Sequence, residues 1–222
     1  MIDDPGKLLG LLFRSHPWHG VPIGARAPEV VTCFIEIVPT DRVKYEIDKP
    51  TGYLKVDRPQ LYSNICPAPY GFLPQTYCGA RVGALSAERT HRTGLMGDGD
   101  PLDVCVLTQT PITHSDILLQ ARPIGGIRML DGNEADDKII AVLEGDGLYG
   151  GWTDIDYVPK AVVNRLVHYF ETYKLAPGAT TKPIEITHVF GREEAHLVIA
   201  RAQEDYSEKF GALQKQLQDA LA

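Results

Sequence analysis

Three carboxylates crowd into six residues at Asp98-Gly99-Asp100-Pro101-Leu102-Asp103, and the chain runs straight from them into the apolar stretch Val104-Cys105-Val106-Leu107. No other feature limits the fold as sharply. Two carboxylates about 4 Å apart repel by roughly 1 kcal/mol in water and by about 4 kcal/mol at an intermediate effective dielectric. A cluster at the mouth of a buried strand therefore needs compensation, and hard divalent cations such as Mg²⁺ or Ca²⁺ supply it through oxygen ligands. A lone Asp-x-Asp is more often a solvated acidic turn. An EF-hand is excluded by spacing. Counted from Asp98, the sixth position is Asp103 rather than glycine and the twelfth is Gln109 rather than glutamate.

The surrounding chain is β-rich. Residues 32–38, 43–48, 53–57, 104–107, 117–122, 126–130 and 138–143 read as short strands, with turn chemistry at Pro39-Thr40-Asp41 and Pro50-Thr51-Gly52. Many short strands with turns between them predict a closed β-barrel. Two helices are expected in the C-terminal third. Across 159–174, Val162, Leu166, Phe170 and Tyr173 share a stripe, Pro159 suits the first turn, and Pro177-Gly178 ends the segment. Across 192–222, Tyr206, Phe210, Leu213, Leu217 and Leu221 recur at helical spacing. Residues 1–30, broken by Pro5, Pro17, Pro22 and Pro28, read as an irregular arm. Residues 78–97 are polar, carry Arg81, Arg89, His91 and Arg92, and lack periodicity, so they read as a long inserted loop. The 222 residues make one domain, 1–222, the expectation.

Charge and hydropathy narrow the function. The net charge is −7 and no basic run appears, which argues against a nucleic-acid partner. No apolar run approaches the ~20 residues of a membrane span. Asp3 and Asp4 precede the short apolar stretch from Leu8 to Phe13, unlike a secretory leader, so a cytoplasmic location is expected. Cys33, Cys66, Cys78 and Cys105 form no Cys-x-x-Cys pair and read as reduced, buried small hydrophobes.

Other charged residues acquire meaning beside the first cluster. Asp131-Gly132-Asn133-Glu134-Ala135-Asp136-Asp137-Lys138 lies between two expected strands. Alone it is a turn with solvated charges; beside the first cluster it is a second wall for a metal. Lys44 and Glu46 share one face of their strand. Glu36 interrupts an apolar strand, where a buried carboxylate is costly unless paired. Arg58 closes a strand, Tyr70 sits in Tyr70-Gly71-Phe72, and Tyr173-Lys174 closes the first helix. Each has an ordinary reading as strand end, core residue or helix cap. Together, seven acids (Glu36, Glu46, Asp98, Asp100, Asp103, Asp131, Asp136) face four bases (Lys44, Arg58, Lys138, Lys174). Carboxylates mixed with Lys, Arg and Tyr point to metal-assisted phosphoryl transfer to water.

These segments, in this order from about residue 30 to 175, resemble the soluble inorganic pyrophosphatases of the Mg²⁺-dependent β-barrel family, family I. The signature Asp-x-Asp-Pro-x-Asp matches residues 98–103, and Phe34-Ile35-Glu36-Ile37, Lys44-Tyr45-Glu46-Ile47-Asp48-Lys49, Val56-Asp57-Arg58, Tyr70-Gly71-Phe72 and Phe170-Glu171-Thr172-Tyr173-Lys174 follow suit. The resemblance implies an α+β, mainly β fold: a closed OB-like barrel with flanking helices. It implies hydrolysis of pyrophosphate to two phosphates by in-line attack of a metal-activated water, with several Mg²⁺ per site. Asp98, Asp103 and Asp136 would hold the first metal, Asp103 would bridge to a second, and Asp131 with Asp136 would help hold a third. Asp100 would orient or deprotonate the water. Lys44, Arg58, Tyr70, Lys138, Tyr173 and Lys174 would bind substrate, with Tyr173 and Lys174 also catalytic, and Glu36 and Glu46 would support them. Self-association as a hexamer or dimer is implied; a nucleic-acid or membrane partner is not.

The chain departs from the family at Cys66-Pro67, where many members read Tyr-Pro, and 71–97 is longer than in compact bacterial members. Two other readings compete: a non-catalytic polyphosphate- or nucleotide-binding OB-like barrel, and a broader nucleotide phosphatase. A binder has no need of a water-orienting Asp100, and no base-recognition feature supports the phosphatase.

Overall fold

The computed structural model describes residues 14–179 and 184–221. Ten strands and three helices occur among them: β1 (Val31–Ile37), β2 (Val43–Ile47), β3 (Leu54–Pro59), β4 (Tyr70–Phe72), α1 (Ala80–Thr90), β5 (Met96–Gly97), β6 (Asp103–Leu107), β7 (Ile117–Asp131), β8 (Glu134–Ala135), β9 (Lys138–Leu143), α2 (Lys160–Thr172), β10 (Ile184–Gly191) and α3 (Arg192–Leu221). The main sheet has eight strands in the path β1-β4-β6-β9-β7-β8-β5, with β10 joined to β7. β1 also pairs with β7, so the pairing runs β1-β4-β6-β9-β7 and returns to β1. β2 and β3 form a separate hairpin.

The strands that carry the site are apolar without alternation because both faces are covered. In β6, Val104 and Val106 join the core that α1 and α3 close with Val82, Leu85, Val198 and Ile199. Cys105 and Leu107 join the core on the opposite face, closed by Leu166, Tyr169 and Phe170 of α2. All four cysteines are buried and free. β6 and β9 are parallel, with Asp103 in register with Lys138. That single pairing brings the two acidic segments together at one end of the sheet.

Three expectations are corrected. Residues 78–97 are not a loop, since 80–90 form α1. Its N-terminal N–H groups are capped from a distance: the Asp205 carboxylate of α3 accepts from Gly79, Arg81 and Val82 N–H at 3.0–3.1 Å. No local capping residue announces the helix, and Gly83 leaves room for β5, since a Cβ there would stand 2.9 Å from Met96 and Gly97 backbone. The runs 117–122 and 126–130 are one strand, β7. The register shifts between Pro123 and Gly125, where proline has no N–H for the ladder. β10 has no counterpart in the sequence reading; it pairs with β7 from Ile184↔Asp131 to Gly191↔Gly125. Of the expected arm, 14–30 hold no helix or strand, and the first 13 residues lie outside the described ones. Among the described residues no helix is long and apolar enough to cross a membrane.

Candidate active site

The Asp98–Asp103 turn is pinned on both sides. Gly99 takes φ 78°, a left-handed conformation that glycine adopts without strain. Its N–H donates to the Cys78 carbonyl at 3.0 Å, and Cys78 N–H donates to the Asp100 carbonyl at 2.8 Å. Thr76 Oγ1 accepts the Leu102 N–H at 2.9 Å. The side chains of Asp98, Asp100 and Asp103 are thereby presented to a cleft of about 210 Å³.

Four further segments add to the walls. The β2–β3 hairpin contributes Lys44 and Arg58, and β4 contributes Tyr70. The β7–β9 connection contributes Asp131, Glu134, Asp136 and Lys138, and the end of α2 contributes Tyr173 and Lys174. Glu36 and Glu46 stand outside this lining. Glu36 is buried and accepts the Ile47 N–H at 2.7 Å, tying β1 to the hairpin. Glu46 accepts from Lys44 Nζ at 3.0 Å.

Ion pairs order the cleft. Lys138 Nζ donates to Asp103 at 2.5 Å and to Asp136, while the Tyr70 hydroxyl donates to Asp103 at 2.6 Å. Lys174 Nζ donates to Asp131 at 2.6 Å. Asp57 accepts from Lys44 at 3.0 Å and from Arg58 at 2.5 Å. Lys49 donates to Asp100. Sequence reasoning gave no role to Asp57, Lys49 or Glu134. The first two lie inside recognised motifs, but Asp57 meets Lys44 across the β2–β3 pair and Lys49 meets Asp100 from a turn 51 residues away in the chain.

Crowding shows in the protonation chemistry. Burial, then the nearby Asp136 charge, pushes the Asp98 carboxyl up to about 9. Burial also raises Asp103, against the pull of Lys138. Burial works to raise Asp136 too, but Lys138 and a hydrogen bond with Asp98 outweigh it and hold this carboxyl low. Burial, then Asp103, raises the Tyr70 hydroxyl well above its usual range. The cluster thus retains a proton on Asp98, as expected where negative charge exceeds positive charge at short range. Among the described residues no three His, Cys, Asp or Glu side chains stand ready as a cage for a metal. The Lys138 ammonium occupies the space between Asp103 and Asp136 instead.

Comparison with known proteins places this cleft in context. Residues 33–207 match the family model for inorganic pyrophosphatase. An inorganic pyrophosphatase of Chlamydia trachomatis is 54% identical over 200 residues, which is 88% of this chain and 96% of the relative. Soluble inorganic pyrophosphatase 2 of Chlamydomonas reinhardtii is 39% identical over 196 residues, 88% of this chain and 91% of the relative. Among solved structures, the inorganic pyrophosphatase from Thermus thermophilus superposes with a TM-score of 0.72 at 30% identity, covering 87% of this chain and 99% of that one.

Proposed function

The chain belongs to the inorganic pyrophosphatase family, and from that membership we propose how its cleft works. Its reaction is that of an inorganic diphosphatase, the hydrolysis of pyrophosphate to two phosphates. One observation carries the proposal: Asp98, Asp103 and Asp136 crowd together at the cleft, with an ammonium between two of them and three more bases at its rim. An oxygen-only donor set suits a hard divalent cation, and the raised Asp98 marks a shortage of positive charge. The residues therefore fit Mg²⁺. Asp98, Asp103 and Asp136 would hold it, Asp103 would also serve a second ion, and Asp131 would join Asp136 for a third. When bound, Mg²⁺ neutralises phosphate oxygens and makes water more acidic.

The chain's own groups do the rest. Lys44, Arg58, Lys138, Tyr173 and Lys174 bind phosphate oxygens. Lys138 and Lys174 now rest on carboxylates and change partner when substrate enters. Asp100 orients the attacking water and takes its proton on a carboxylate oxygen, with the Lys49 ammonium steadying Asp100 beforehand. Tyr70 holds Asp103, Glu46 and Asp57 hold Lys44, and Glu36 fixes the hairpin from behind. In-line displacement needs only such positioning and charge stabilisation.

We also read the pairing that returns to β1 as a closed OB-like barrel, the chain as one domain, and its setting as cytoplasmic. Self-association as a hexamer or dimer, without nucleic acid or membrane, rests on the family resemblance; a lone 24.5 kDa species in sedimentation would overturn it. The test of the cleft is phosphate release from pyrophosphate with Mg²⁺. EDTA should abolish it, and a nucleoside triphosphate should be a poor substrate. Full turnover in EDTA would overturn the metal assignment, and equal rates on both substrates would favour the broader phosphatase.

A further inference from the structure

Asp137 lies between two residues of the cleft, yet its side chain points the other way. Along an extended chain successive side chains alternate faces. Asp136 and Lys138 line the cleft, whereas Asp137 is turned into the protein and is 2% exposed. There it meets Arg128 of β7, which is fully buried. Arg128 Nε donates to both Asp137 oxygens at 3.1 and 3.2 Å, and Nη2 donates to Oδ2 at 2.8 Å. Arg128 Nη1 lies 3.0 Å from Glu194 Oε1 in the first turn of α3. That contact is ionic but out of line for a hydrogen bond, and neither atom has a hydrogen-bond partner. Phe190 of β10 covers the guanidinium, its ring centre 5.1 Å from Cζ. Arg89 of α1 approaches Glu194 at 3.5 Å. Elements from across the molecule thus converge on one buried cation.

Stability alone does not account for the pair. A buried ion pair is often matched or exceeded by apolar side chains of similar volume, although losing one partner is strongly destabilising. What a planar fork supplies is geometry, because two-point contact fixes a carboxylate in rotation as well as in place. Close by, the backbone is tied to β7 by Asp136 N–H, which donates to the Met129 carbonyl at 2.9 Å. We infer that Arg128 and Asp137 are positioning residues whose buried pair fixes the entrance to β9, so that Asp136 and Lys138 on the opposite face are held toward the cleft. The inference rests on the proposed roles of Asp136 as metal ligand and Lys138 as phosphate contact. Neither Arg128 nor Asp137 touches substrate.

The test replaces the pair by apolar side chains, as Arg128→Met with Asp137→Leu; Glu194 then keeps Arg89 at 3.5 Å and its 22% exposure to solvent. The double variant should melt cooperatively near the wild-type temperature. Calorimetric titration of the EDTA-treated protein with Mg²⁺ should show binding weakened about 10-fold, and kcat should fall by about as much, with KM for pyrophosphate less affected. Arg128→Lys keeps the charge and gives up the fork; it should show the same loss in milder form, and it decides the matter if the double variant does not fold. Asp136→Asn, titrated alongside, separates the levels. If Asp136→Asn keeps full Mg²⁺ affinity, both the site assignment and this inference fall. If Asp136→Asn weakens Mg²⁺ while a folded pair variant keeps wild-type affinity and turnover, the positioning inference alone falls. Failure of both pair variants to fold would also overturn it, by making the pair a requirement of the fold.

Discussion

Asp100 and Asp103 sit three residues apart and meet different company. Asp103 is held by Tyr70 and Lys138 inside the carboxylate cluster, whereas the Asp100 side chain meets Lys49 at the rim. Asp103→Asn should therefore weaken Mg²⁺ binding as well as turnover. Asp100→Asn should leave Mg²⁺ binding near normal and slow the chemical step by about 10²–10⁴, with partial rescue at higher pH. Calorimetric titration and pH–rate profiles of both variants check this; equal loss of metal affinity in the two would refute the division. Glu36 gives a second prediction at this scale. Burial, then Asp103, pushes its carboxyl up to about 8 from 4.5. A raised acid favours the folded state while protonated, so that stabilisation is complete below about 4.5 and is lost as pH rises through 8. EDTA-treated protein should lose up to a few kcal/mol across that window, and Glu36→Gln should flatten the curve in denaturant titrations. The carboxylates were legible from sequence because three in six residues at a strand mouth demand an explanation. Lys49 was not, because a lysine in a turn looks solvated until its partner is seen.

At the scale of elements, legibility followed how local the cause of each element is. The expected segment 159–174 contains α2, whose stripe of Leu166 and Phe170 lies within its own sequence. α1 escaped because its cap, Asp205, lies in another helix and its buried face includes the small residues Gly83 and Ser86. β10 escaped because its burial comes from β7 and α3 and not from a recognisable period of its own. The cap is testable. Losing a capping carboxylate costs about 0.5–2 kcal/mol, so Asp205→Ala should lower the melting temperature by a few degrees or more. kcat should stay near wild type, because Asp205 lies outside the cleft lining. Deleting 80–90 should be far worse, since Val82 and Leu85 help close the core against α3.

Over the whole molecule, the arm and α3 form a second meeting point of distant segments. Trp18 and His19 pack on Phe210, and His19 Nδ1 lies 2.9 Å from the Tyr206 hydroxyl. His16 Nε2 lies 2.9 Å from the Lys49 carbonyl, so the arm also touches the turn that carries Lys49. Burial, then His16, lowers His19 to about 4 from 6.5. A depressed base favours the folded state while neutral, so this contribution is intact above 6.5 and is lost as pH falls toward 4. Trp18 fluorescence should report release of the arm in that window, and His19→Gln should move it; an unchanged profile would refute the assignment. The remote cap of α1 has a consequence on the ribosome. Gly79 and its capping carboxylate are 126 residues apart in the chain. At about 5–20 residues per second, the first residues of α1 wait on the order of 10 s for a cap that has not yet been translated. Helix α1 therefore gains its N-terminal cap only after translation has passed Asp205, long after its own residues have been joined.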